Sequence, residues 1–271
     1  MPTAGTNGIT THYEDLGSPD NQAVVLVHGH SVDLRMWNRQ VEALAGPGYR
    51  VVRYDVRGHG RSSAPETGYT WQNYSADLAA LLDHLRISSA HIVGSSMGGA
   101  IALQFSLDHP TRTRSLLLAD SALPGFTYSE EFSSQIENLV ATALEEGPWP
   151  AFQRLWLTHQ MFDGVRDDPE TFALIEEMVR TFPAVEYRGG ETGPEGYEQP
   201  QLTDRLHEIT APTLVITGEH DIADFQIIAE ILAAHIPNAE RHTISNCWHI
   251  PVMEHPGEFN DLLITFLRNH P

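Results

Sequence analysis

His91-Ile92-Val93-Gly94-Ser95-Ser96-Met97-Gly98-Gly99 is the stretch that decides how the chain is read. A short apolar run, His91 to Val93, ends in Gly94-x-Ser96-x-Gly98, and an apolar, helix-like segment, Ala100 to Phe105, follows at once. Strand, serine between two glycines, then helix is the context of a nucleophile elbow. The turn is so sharp that Ser96 must take a strained backbone angle. A Cβ at position 94 or 98 would collide with the turn or its neighbour, which is why glycine stands at both. The strain lifts the Ser96 hydroxyl off the sheet edge, and the new helix points free N–H groups at the same spot. With 21 glycines in the chain, G-x-S-x-G alone says little. Its weight comes from the strand before it, the helix behind it and the partners found below. Ser95 is off the centre of the glycine pair and reads as packing.

Outward from this stretch, strands and helices alternate. Ala23-Val24-Val25-Leu26-Val27 is an unbroken apolar run that suits a strand buried on both faces of a parallel sheet. It leads into His28-Gly29-His30-Ser31. Residues 34–44 show helical spacing, with Asp33 placed to cap them. A strand over 49–54 ends in Asp55-Val56-Arg57-Gly58-His59-Gly60-Arg61-Ser62, a helix covers 74–85, and Ser115 to Asp120 is a further strand. Residues 9–16 read as an edge strand. The alternation predicts a largely parallel α/β sheet with ligands at the carboxyl ends of its strands. It stops at residue 123. Helix-like pieces at 131–145, 149–162 and 169–182 follow without a buried strand, and then comes a Gly/Pro-rich stretch from Gly189 to Gly196. Alternation resumes with Thr213-Leu214-Val215-Ile216-Thr217, a helix over 224–235, a short strand over 241–244 and a closing helix over 256–267. The expected organisation is a core of residues 1–122 and 200–271, with residues 123–199 forming a helical cap over the strand ends.

Composition narrows the function classes. A chain of 271 residues is long enough for one large α/β domain with a sizeable core. No apolar run approaches the roughly 20 residues of a membrane span. The start, Met1 to Gly8, lacks the basic and apolar regions of a signal peptide. The lone cysteine, Cys247, allows no internal disulfide. These features together point to a cytoplasmic protein. Acidic residues number 36 against 16 basic ones, every basic residue is arginine, and the net charge is −20. Such a surface repels nucleic acid and anionic membrane, leaving a small molecule as the expected partner. The chain is expected to be a monomer or a small homo-oligomer. The absence of lysine has no physical account.

Serine is a poor nucleophile until a base takes its proton, and the base needs an acid to fix its tautomer. On this kind of sheet the three arrive in the order serine, acid, histidine. After the strand ending at Thr217 stands Gly218-Glu219-His220-Asp221; after the last strand stands Asn246-Cys247-Trp248-His249-Ile250-Pro251. The assignment is Ser96, Asp221 and His249. Glu219, Asp224 and Asp120, the last at another strand end, are alternative acids. The oxyanion needs two backbone donors, expected from Met97 and His30. His28-x-His30 has the look of a metal pair, but no third ligand at helpful spacing supports one, and a tight turn at Gly29 is the simpler account. Gly58-His59-Gly60 completes neither G-x-G-x-x-G nor a P-loop and reads as a turn near the site. No metal and no cofactor are expected.

The chain resembles the α/β-hydrolase fold superfamily, in particular its small bacterial esterases, enol-lactonases and cofactor-free haloperoxidases. The likeness spans nearly the whole chain. It is carried by HGHS from His28, YDVRGHGRS from Tyr54, GSSMGG from Gly94, TGEHD from Thr217 and CWH from Cys247. It implies a mostly parallel eight-stranded sheet flanked by helices, with a helical cap after the sixth strand. It also implies Ser96 as nucleophile, His249 as base, Asp221 as its acid, and the His30 and Met97 amides as oxyanion donors. Members that open epoxides or remove halide carry aspartate at the elbow, so Ser96 argues against both. Two departures stand out: Trp248 replaces the family's usual glycine before the histidine, and Ile250 replaces the tryptophan that carbon–carbon hydrolases often carry after it. Cys247 reads as a small buried hydrophobe.

The cap should supply the substrate pocket, with Trp149, Phe152, Trp156, Met161, Phe162 and Phe182 as candidates, beside Trp248 and Ile250 of the histidine loop. The functional expectation is a serine hydrolase cleaving carboxylic esters or lactones through an acyl-enzyme, a carboxylesterase or lactonase. The alternatives are perhydrolase or haloperoxidase-like activity, amide or carbon–carbon hydrolysis with the same three residues, and a slow-turnover ligand receptor. A scaffold role without chemistry is the remaining reading.

Overall fold

A computed structural model describes residues 2–188 and 201–271. The expected Gly/Pro-rich stretch from Gly189 to Gly196 and the expected boundary between 199 and 200 lie outside the described residues. The chain runs β1 (Thr3–Thr6), β2 (Ile9–Leu16), β3 (Ala23–Val27), α1 (Asn38–Ala45), β4 (Arg50–Tyr54), α2 (Trp71–His84), β5 (Ala90–Ser95), α3 (Met97–Asp108) and β6 (Thr113–Ala119). After these come α4 (Glu130–Glu146), α5 (Pro148–Ala151), α6 (Pro169–Thr181), β7 (Thr213–Gly218), α7 (Ala223–His235), β8 (Ala239–Ile244), α8 (Pro251–Glu254) and α9 (Pro256–Asn269). None of the described helices is long and apolar enough to cross a membrane.

The eight strands form one sheet in the order β1-β2-β4-β3-β5-β6-β7-β8. Only β1 and β2 are antiparallel to their neighbours. β3, β4, β5 and β7 are buried at every position, as strands covered by helices on both faces are. From β3 the chain steps one way to β4, then turns back past β3 to β5. Right-handed crossovers in opposite directions put α1 and α2 on opposite faces. Accordingly α1 packs against α9, and α2 against α3. The reversal separates the loops that leave β3 and β5, opening a crevice at their carboxyl ends. His30 and Ser96 stand on those two loops.

The sheet agrees with the sequence-based expectation in class, strand number and direction. β1 is an addition: four residues, Thr-Ala-Gly-Thr, carry too little alternation to be read. α2 begins at Trp71 rather than 74, because Thr70 Oγ1 accepts the Asn73 N–H at 3.3 Å. Asp33 does cap the segment after it, accepting from the Arg35 N–H, but that segment opens as a 3₁₀ turn over Leu34–Trp37.

The expected single helix over 149–162 is broken. α5 passes into a π turn at Phe152–Trp156, closed by the Leu157 N–H on Phe152 O at 2.8 Å. Thr158 then turns its hydroxyl back to Arg154 O, and His159 begins a separate 3₁₀ segment, Gln160–Val165. A side-chain hydroxyl competing for a backbone carbonyl ends the helix there.

Candidate active site

Ser96 sits between β5 and α3 with φ 53° and ψ −116°. Strain of this kind costs about 1–3 kcal/mol and must be held by its surroundings. It is held here by four hydrogen bonds: Ser96 N–H to Ala119 O, and the Gly99, Ala100 and Ala122 N–H groups to Ser96 O. The two glycines are sterically required. A Cβ on Gly94 would lie 2.2 Å from Gly98 O, and one on Gly98 would lie 2.1 Å from Val27 O.

The loop after β8 brings His249 to the serine. Its Nε2 lies 3.0 Å from Ser96 Oγ, and its Nδ1 lies 3.0 and 2.9 Å from the two oxygens of Asp221. Ionised Asp221 only accepts, so Nδ1 carries the hydrogen and Nε2 is free to accept the Ser96 hydroxyl. Phe225 packs edge-on against the imidazole at 4.4 Å. Burial lowers the His249 pKa from 6.5, against the opposing pull of Asp120 and Glu254. The ring is therefore neutral at neutral pH, the form that can take a proton. Burial raises Asp221, while the neighbouring Asp120 carboxyl and the Ile222 N–H pull it back.

The alternative acids stand elsewhere. Glu219 accepts the Asn246 N–H, and Asp224 accepts from Ser129 N–H and Oγ–H at the start of α4. Asp120 lies behind Asp221, wholly buried, accepting from Thr217 Oγ1 and the Gly218 N–H.

Met97 opens α3, so its N–H has no partner within the helix. Gly29 packs so closely on the elbow that its Cβ would lie 3.5 Å from Ser96 Cβ, which sets His30 beside the serine. Met97 and His30 both line the cavity around Ser96. His28 holds this loop down, accepting the Val56 N–H at Nε2 while its Nδ1 meets Gly29 O. His59 does the same from the neighbouring loop, accepting the Ser31 N–H at Nε2 with Nδ1 on Arg57 O. The histidines of HGH and GHG thus tie turns together. His30, His59 and Glu186 do bring potential ligand atoms within 4.8 Å of one another, but both His59 nitrogens are already engaged.

A cavity of about 880 Å³ opens in front of Ser96 and His249. Of the residues expected to line it, Trp156, Met161, Phe162 and Ile250 do. Trp149, Phe152, Phe182 and Trp248 do not. Phe152 and Phe182 pack behind the wall on His30 and on each other, Trp149 lies under the Arg180 guanidinium at 4.4 Å, and Trp248 packs at a tilt against His220. The indole at position 248 therefore turns away from the cavity and leaves His249 its place. Lining residues that the sequence left unread come from the loop after β6 and from α4, such as Tyr128, Phe132 and Val140. Leu144 also lines it and is 54% exposed, which sets the mouth beside α4.

Glu254 is a further residue that sequence reasoning missed. Its carboxylate accepts the N–H groups of Trp248 and Ile250, each at 2.7 Å, and so grips the chain on both sides of His249. A glutamate five residues beyond a histidine carries no motif that would announce this.

A sequence model of the alpha/beta hydrolase fold matches residues 22–256. The chain is 32% identical over 265 residues to the 2-hydroxy-6-oxononadienedioate/2-hydroxy-6-oxononatrienedioate hydrolase of Burkholderia vietnamiensis, covering 96% of this chain and 91% of that one. Among solved structures it is similar to the enol-lactonase of Burkholderia xenovorans LB400, at 29% identity with a TM-score of 0.86, covering 98% of this chain and 100% of that one. It is likewise similar to Est816, an N-acyl homoserine lactone degrading enzyme, at 30% identity with a TM-score of 0.81 and the same coverage.

Proposed function

Because the chain belongs to the alpha/beta hydrolase fold family, we propose that it is a serine hydrolase acting on uncharged carboxylic esters or lactones. The observation that carries the proposal is the hydrogen-bonded line Ser96–His249–Asp221 at the floor of an apolar cavity. Ser96 Oγ attacks the carbonyl carbon as His249 Nε2 takes its proton, and Asp221 stabilises the imidazolium. The Met97 and His30 amides hold the oxyanion. His249 then protonates the leaving alkoxide, and water cleaves the acyl-enzyme by the same route. In a lactone the leaving hydroxyl stays on the acyl chain. The described part of the expected cap, residues 123–188, covers the site, and its Trp156, Met161 and Phe162 close over the substrate.

The likeness to two lactone-cleaving enzymes supports this reading. So does the electrostatics of the cavity. No arginine lines it among the described residues, and the chain has no lysine, so a substrate carboxylate would find no fixed positive charge there. A second reading, hydrolysis of a dioate such as that named for the Burkholderia vietnamiensis relative, is favoured by the 32% identity. The lining weighs against it.

The test is proton release in a pH-stat, for wild type and Ser96→Ala, over neutral esters, neutral lactones and a dioate. Turnover of the neutral substrates that vanishes in Ser96→Ala supports the proposal. A preference for the dioate transfers it to the second reading, and activity retained by Ser96→Ala rejects the nucleophile.

A further inference from the structure

Behind the acid of the site stands a second carboxyl that the mechanism above does not use. Asp120 directly follows β6 and is 0% exposed. Its Oδ1 is fully occupied, accepting the Gly218 N–H and the Thr217 hydroxyl at 3.0 Å each. Its Oδ2 is buried and accepts from no donor among the described residues. One oxygen of Asp120, one oxygen of Asp221 and one ring nitrogen of His249 lie within 4.8 Å of one another. Other ionisable groups facing this cluster are Glu254 of α8, committed to two amides, the thiol of Cys247, the phenol of Tyr128 beside Asp221 and the imidazole of His159 beside His249. Among the described residues, the group acting on Asp120 that can turn positive is His249, and His249 serves Asp221.

We propose that Asp120 is a positioning residue that retains its proton and donates it from Oδ2 to Asp221. As a carboxylate, Oδ2 would be a buried acceptor with nothing to accept, set against a like charge. As an acid, it donates the one hydrogen bond that the site lacks, and both carboxyl groups are then satisfied. The Asp221 carboxylate is held from one side by Asp120 and the Ile222 N–H while it holds His249 from the other. Burial first, and then the charge of Asp221, push Asp120 well above the ordinary aspartate range, in accord with this arrangement. Two carboxyl groups that share one site and one proton are a known way of separating their roles.

The kinetic consequence rests on the proposed function, but the proton can be read without turnover. Infrared spectra at neutral pH should show the carbonyl stretch of a protonated carboxyl in wild type that is missing from Asp120→Asn. A band that persists in Asp120→Asn, or is absent from wild type, overturns the proposal. In kinetics, Asp120→Asn places an N–H where the O–H stood and should keep kcat within about threefold. Asp120→Ala removes the donor and should lose roughly 10- to 100-fold, as expected for a hydrogen bond to a charged group. Asp120→Asn should also hold its activity to higher pH than wild type, since it has no proton to lose. An asparagine variant as impaired as the alanine variant, or one with an unchanged alkaline limb, overturns the positioning role. If no ester, lactone or dioate is turned over by wild type, the infrared result still decides where the proton lies.

Discussion

Trp156 donates its indole N–H to Ser31 Oγ at 2.8 Å, a hydrogen bond from the π turn that follows α5 to the loop that follows β3. Ser31 takes a left-handed φ of 62° and directly follows His30, whose amide is the proposed oxyanion donor. The bond ties the wall of the cavity to the backbone that must stabilise charge. Trp156→Phe keeps most of the ring and removes the bond. One hydrogen bond of about 0.5–1.5 kcal/mol should cost kcat several-fold with little change in KM. Steady-state kinetics on a neutral ester checks it; a pure KM effect would make Trp156 a binding surface only.

Glu254 should matter to catalysis although it touches no substrate. Removing its carboxylate frees the two amides that flank His249. Glu254→Ala should lower kcat/KM roughly tenfold or more, from a misplaced imidazole and unpaired N–H groups worth about 1–3 kcal/mol. Glu254→Gln turns one acceptor into a donor facing an amide and should recover only part of the loss. Kinetics together with calorimetry separates the roles: a lower Tm at unchanged kcat would make the grip structural alone.

Gly98→Ala should be severe and Gly257→Ala mild. The first sets a Cβ 2.1 Å from Val27 O and 2.6 Å from His28 O, backbone atoms at and just beyond the end of β3 that cannot step aside. A loss of about 3 kcal/mol or more is expected, with activity lost in whatever folds. The second faces open space in the first turn of α9, where alanine should be neutral or stabilise by up to about 1 kcal/mol. Urea titrations of both variants against wild type measure the difference.

The acid limb of kcat/KM should lie below pH 6.5, because burial lowers His249 and the base stays neutral further into acid. Stability follows the same sign. Below 6.5 the unfolded chain takes up a proton that native His249 resists, so the native state loses stability as pH falls from 6.5 towards the lowered native value. His249→Gln should flatten that part of the stability curve. A limb at or above 6.5 would mean that the neighbouring carboxylates outweigh burial.

Much of the fold was legible because its signals are local. Val24 to Val27 and Leu214 to Ile216 are continuous apolar runs that suit only strands covered on both faces, and Gly94-x-Ser96-x-Gly98 has one structural use between a strand and a helix. The position of Asp221 and His249 after the last two strands followed from the order in which this sheet is built. β1 escaped because its four residues pair with β2 through backbone hydrogen bonds that impose little on side-chain type. The π turn at Phe152 escaped because Thr158 ends the helix with a hydroxyl, which an apolar period does not register.

Sequence by itself determined the class of the sheet, the sharp turn at Ser96 and the residue types that can do chemistry at its strand ends. Each rests on interactions within a few residues: alternation, glycine where a Cβ cannot fit, a cap before a helix. Tertiary structure alone decided that Asp221 rather than Glu219 or Asp224 reaches His249, that Asp120 lies behind it, that Glu254 grips the histidine loop, and that Phe152, Phe182 and Trp248 stay out of the cavity. These are matters of direction and distance between elements far apart in the chain. A carboxylate or an aromatic ring reads the same in a sequence whichever way it points; packing against the rest of the molecule chooses which polar groups meet and which rings face the substrate.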